Sequence, residues 1–131
     1  MRHCKVVYLG NKNQSVRLEG NGQTMVTEND ASRLLPSDML ALALADCAET
    51  VLALVLEQKH LDFSGSYVDV SKDADFENYK VKAIHLTFHL HKEYSEETRK
   101  EIPHILETMC VVGRSLHPDV VKDYKFLFDV K

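Results

Sequence analysis

Two cysteines stand where thiol chemistry could occur. Cys47 lies inside the oily run "ALALADCAETVLALVL", residues 41–56, with Asp46 just before it and Glu49 two residues after it. Cys110 opens "CVVGRSL", residues 110–116. A thiol attacks electrophiles as its thiolate. Oxidised by a peroxide it becomes a sulfenic acid, which a second nearby thiol captures as a disulfide. Taken singly, each cysteine also reads as a small buried hydrophobe. The third cysteine, Cys4, lies on an edge-like first strand and reads as structural. No pair has CxxC or zinc-knuckle spacing, so thiol chemistry here must join residues far apart in sequence. His85, His89 and His91 alternate along one strand and could bind a metal, but the simpler reading is a solvated sheet face. His117, near the second cysteine, reads as a loop cap beside Pro118.

Helical geometry limits which acids can serve Cys47. Asp46 and Glu49 fall at about -100° and +200° around a helix axis from it, so both point away and form a polar stripe. Asp38 is nine residues earlier, on the opposite side and roughly 13 Å along the axis. It cannot touch Cys47 within one straight helix. A functional Asp38 would have to reach the Cys47 of the partner subunit.

The elements that must hold these residues follow from pattern. "KVVYLG", "SVRLE" and "TMVT" are short strands separated by "NKNQ" and by "GNGQ", whose Asn-Gly step is a hairpin signal. Pro36 suits a first helical turn, and Ser37 and Asp38 suit the positive end of a helix dipole. From Met39 to Gln58 the run is rich in Leu and Ala, and predicts a helix buried nearly all round. A domain of this size rarely encloses such a helix alone, which predicts a second subunit over part of it. "SYVDVSKDADFENYKVKAIHLTFHLHKEY" reads as a long hairpin turning near "DFEN". In its second arm Ile84, Leu86, Phe88 and Leu90 alternate with the histidines and Thr87, the period of a half-buried strand. Ser95 caps the next helix, Pro103 should bend or interrupt it, and "ILETMCVVGRSL" carries it to Gly113 and beyond. "YKFLFDVK" is the closing strand. The order β-β-β-α-β-β-α-β predicts an α+β class with antiparallel sheets and a single domain over residues 1–131.

Composition narrows the function classes. The 131 residues are 44% hydrophobic and 27% charged, enough for a packed core. A net charge of -4 argues against a general nucleic-acid partner. Asp46 and Glu49 near the middle of the apolar run argue against a membrane span. "MRHCKVVYLG" has no signal-peptide stretch, so the expected compartment is the reducing cytoplasm, where structural disulfides are rare.

"LLPSDMLALALADC" resembles the central-helix motif of the OsmC/Ohr family, the osmotically inducible and organic-hydroperoxide-resistance proteins. In that family a proline opens the helix, an acid follows closely, and a cysteine comes eleven residues after the proline; here these are Pro36, Asp38 and Cys47. "CVVGRSL" is similar to the family's second mark, Cys-Pro-Val-x-Arg-x-Leu, with Val111 where proline is usual. Strand order and length extend the resemblance over nearly the whole chain. It implies an OsmC-like intertwined homodimer and a thiol peroxidase that reduces organic hydroperoxides. By position Cys47 would be peroxidatic and Cys110 resolving, with Asp38 as the site acid, no bound cofactor or metal, and an external dithiol as reductant. Two departures stand out. The glutamate of the hydroperoxide-resistance branch, ten residues before the cysteine, is replaced by Ser37, with Asp38 one step later. The branch's first-strand arginine has no counterpart placed by a motif; Arg17, Arg33 and Lys12 are the candidates. A non-catalytic small-molecule binding protein on the same fold is the alternative.

Overall fold

The computed structural model describes residues 4–10, 13–18, 24–28 and 34–128, with side chains in the first three strands described only at residues 5–7 and 10. Of the candidate cations, Lys12 and Arg33 therefore lie outside the described residues. Arg17 and Cys4 are described only as backbone positions of their strands.

The chain forms two compact units, Met1–Met39 and Leu40–Lys131. The first holds an antiparallel sheet in the order β1-β2-β3, from strands Cys4–Gly10, Asn13–Leu18 and Thr24–Glu28. It also holds the start of helix α1, Pro36–Gln58. There Pro36 takes the first position, where its missing N–H costs nothing. The Leu35 N–H donates to Asp38 Oδ2 at 2.9 Å, and the Leu35 carbonyl accepts from Asp38 N at 2.9 Å. Asp38 thus closes one half of a capping box, satisfying an amide the helix itself leaves open.

In the second unit, strands β4 (Tyr67–Asp75) and β5 (Lys80–His89) form the expected hairpin around residues 76–79, and β6 (Val121–Leu127) joins them in the order β4-β5-β6. The expectation of antiparallel sheets holds for β1–β3 and for β4–β5. β6 departs from it: Ala83 pairs with Val121 and His89 with Leu127, in parallel. A parallel partner needs a long crossover, and the helices between β5 and β6 supply it.

Those helices are α2 (Glu96–Met109) and a short α3 (Val111–Ser115). Ser95 caps α2 as its position predicts, its hydroxyl accepting from the Thr98 N–H at 3.1 Å. Pro103 does not interrupt the helix, which runs through it. The break falls instead at Cys110, whose backbone is extended at φ -80° and ψ 106°.

The core of this unit is built from period. Ala41, Leu44, Ala45, Ala48, Leu52 and Leu56 of α1 are buried at helical spacing. Ile84, Leu86, Phe88 and Leu90 of the β5 arm are buried at alternate positions, with Ile102, Ile105 and Leu106 of α2 beside them. Helix α1 is not enclosed all round. Leu54 is 58% exposed and Leu42 39%. Within this unit the sheet β4-β5-β6 and α2 cover one face of the 18-residue apolar run. By length and composition α1 could also cross a membrane; in this fold its buried face is part of the core.

Candidate functional site

Cys47 stands one turn after Leu44 on α1, so the two side chains share a face. Leu44 is fully buried and anchors that face in the core, while Cys47 is half-buried at its margin. Cys110 is fully buried in the break between α2 and α3. Its extended backbone is that of an N-cap, and its Sγ accepts from the Gly113 N–H at 3.4 Å. The Cys110 carbonyl accepts from Arg114 N at 3.0 Å, which starts α3. Cys47 and Cys110, 63 positions apart, are near enough that Cys47 acts on the Cys110 thiol and helps to raise its pKa.

The electrostatics of Cys110 are set first by burial, which pushes the thiol above its ordinary value. The Gly113 N–H opposes that shift, Cys47 adds to it, and the Val112 N–H lowers it. A protonated Cys110 is the expected resting form. A thiolate, once formed there, meets two backbone N–H groups.

Two further residues complete the site. A side chain added at Gly113 would begin 3.3 Å from Leu44 Cδ1, 3.4 Å from Cys110 Sγ and 3.5 Å from the Tyr124 hydroxyl. Gly113 is thus the point where α1, the cysteine turn and β6 converge, and its missing side chain is what lets them do so. Tyr124 projects from β6 with its ring against Phe88, centroids 6.1 Å apart. Burial first, then the charges of Cys110, Cys47 and Glu107, raise its phenol to about 12. Lys122, two residues earlier on β6, donates from Nζ to the Gly113 carbonyl at 2.8 Å. Sequence reasoning missed Tyr124 and Gly113 as site residues. The usable signal for Gly113 was its place three residues after a cysteine; for Tyr124 there was only the alternation of Tyr124, Phe126 and Phe128.

The remaining candidates separate from this cluster. Asp38 sits at the start of α1, engaged as a helix cap. Asp46 is exposed, whereas Glu49 is partly buried, its carboxyl raised by burial and by Asp46 and held down by the Val68 backbone N–H. His117 caps its loop as expected, its Nδ1 accepting from the Asp119 N–H at 3.0 Å.

The histidines do have carboxylate partners, which the sequence reading did not supply. His85 lies between Asp123 (Nδ1 to Oδ2, 2.8 Å) and Asp73 (Nε2 to Oδ2, 2.8 Å), and His89 Nε2 is 2.9 Å from Asp69 Oδ2. The two bonds of His85 leave from opposite ring nitrogens, so they bridge strands rather than converge on a metal. Among the described residues no group of three or more His, Cys, Asp or Glu is placed to hold a metal ion.

A family model, the OsmC-like protein, matches residues 29–125. A protein from Psychrobacter arcticus 273-4, described as an osmotic stress induced and detoxification response protein, superposes with a TM-score of 0.89 at 23% identity, covering 97% of this chain and 96% of that one. An OsmC-like protein from Mycoplasma pneumoniae gives 0.84 at 15% identity, covering 100% and 98%. The organic hydroperoxide resistance protein OhrB of Bacillus subtilis gives 0.69 at 14% identity, covering 95% and 98%. No curated protein sequence matches the chain. At these identities the structural likenesses speak for the fold alone, while the family model spans about three quarters of the sequence: the chain belongs to the OsmC-like family.

Proposed function

We propose that this protein is a thiol-dependent peroxidase that reduces organic hydroperoxides through Cys47 and Cys110. The observation that carries the reading is the nearness of these two free thiols, one half-buried and one fully buried. The half-buried Cys47 is the thiol a substrate can reach. Its thiolate attacks the terminal oxygen of the hydroperoxide. The O–O bond breaks, Cys47 becomes a sulfenic acid, and the alkoxide gains a proton to leave as the alcohol. Cys110 loses its proton and attacks the Cys47 sulfur. The disulfide forms and the sulfenic oxygen departs as water. An external dithiol then returns both cysteines to thiols.

Burial of Cys110 supports its role as resolving thiol, because a buried thiol stays protonated and out of reach of oxidant until its partner is oxidised. The apolar surroundings, with Leu44 beside Cys110, suit a lipophilic hydroperoxide. A structural neighbour of the same fold is named for organic hydroperoxide resistance, which supports the substrate class. Asp38 is assigned to this reading as a helix-start acid whose reach to the site depends on a second subunit. A homodimer in the cytoplasm belongs to the same proposal.

The test is consumption of cumene hydroperoxide with a dithiol present. Wild-type protein is expected to turn over and Cys47→Ser to lose essentially all turnover. Equal rates in the two proteins would leave the non-catalytic binding role as the better account.

A further inference from the structure

Cys110 and the Tyr124 hydroxyl flank the same point. Each lies within 3.5 Å of the place where a Gly113 side chain would start. The arrangement is held, because Lys122 from the same strand as Tyr124 bonds the Gly113 carbonyl, and the Gly113 N–H bonds Cys110 Sγ. One residue thus links the strand that carries the phenol to the turn that carries the thiol. We propose that Tyr124 is the proton relay of the dithiol site, giving its proton to the alkoxide released from the substrate and recovering one from Cys110. The proposal rests on the peroxidase reading and deepens it.

The two proton transfers it joins are both required. Cleavage of the O–O bond yields an alkoxide that must gain a proton. Attack by Cys110 requires that thiol to lose one. In the first transfer the Tyr124 O–H bond breaks and the alcohol O–H bond forms, leaving a phenolate. In the second the phenolate takes the proton of the Cys110 thiol. The Cys110 thiolate then attacks the Cys47 sulfenic sulfur, and the departing hydroxide is protonated by solvent to water. No electrons are needed beyond those already counted between thiols and peroxide. The order of acidities favours both steps. The phenol stands at about 12, still a stronger acid than an alcohol, while its phenolate is a stronger base than a thiolate. The groups that face the phenol are Cys110 and Glu107 from the α2 side and Cys47 from α1, and each, when ionised, acts to keep it protonated.

Tyr124→Phe removes the proton and keeps the ring that packs on Phe88. With one equivalent of cumene hydroperoxide at neutral pH, Cys47–Cys110 disulfide formation is expected to slow on the order of 10²-fold. Cys47 sulfenic acid, trapped with dimedone, is expected to accumulate. The deficit should shrink as pH rises, because Cys110 then ionises unaided. A purely structural tyrosine would change neither the trapped fraction nor the pH profile. Wild-type turnover with an unchanged rate and pH profile in Tyr124→Phe overturns the relay alone. A wild-type protein that leaves the hydroperoxide intact overturns the peroxidase reading and the relay with it.

Discussion

Replacing Gly113 with valine would push two methyl groups into contacts that already begin at 3.3–3.5 Å from Leu44, Cys110 and Tyr124. Overpacking of this kind typically costs about 1–3 kcal/mol. Gly113→Val should therefore lower the unfolding free energy by that amount, read as a lower urea midpoint at unchanged slope, and slow disulfide formation, since Cys110 must shift; an unchanged midpoint would show that the convergence is loose. His85 gives a second residue-scale expectation. Asp73 first, then Asp123, raise its pKa above 6.5 by accepting from the protonated ring. A raised folded-state pKa means the strand bridge contributes fully below pH 6.5 and is lost as pH climbs through the higher folded value. The His85 midpoint followed by NMR should lie above 6.5 and fall in Asp123→Asn; a midpoint that ignores the substitution would rule the bridge out. Both thiols were legible as candidates from their motifs. The partners of His85 were not, because Asp73 and Asp123 are 12 and 38 positions away and reach it only through strand register.

At the scale of elements, α2 shows what local signals determine. Ser95 as N-cap was legible because a hydroxyl just before Glu96 and Glu97 satisfies an open amide and lets two acids meet the helix dipole. Ser95→Ala should cost about 1 kcal/mol in thermal or urea unfolding, and a null effect would assign the cap to Thr98 or solvent. Pro103, expected to bend or interrupt α2, does not interrupt it. A proline removes one N–H, yet α2 buries Ile102, Ile105 and Leu106 around it, and packing outweighs one missing bond. The real break at Cys110 was not legible, because its cause is tertiary: the cysteine leaves the helix to cap α3 and come near Cys47. The parallel placement of β6 was hidden for the same reason. Its own sequence alternates like any half-buried strand, and only the crossover through α2 and α3 sets its direction.

At the scale of the whole molecule, α1 remains the argument for assembly. Leu54 at 58% exposure and Leu42 at 39% lie on the most apolar segment of the chain, outside its buried face. Covering that surface fits a symmetric dimer. Sedimentation at micromolar concentration is expected to give twice the monomer mass of 14.9 kDa, and a stable folded monomer would refute the dimer. Peptide mapping reads the pairing of the thiols. After one equivalent of cumene hydroperoxide, digestion under non-reducing conditions is predicted to yield the Cys47 and Cys110 peptides joined by a disulfide, with Cys4 recovered as a free thiol. A main disulfide that contains Cys4, or Cys47 and Cys110 both recovered as thiols, would contradict the account.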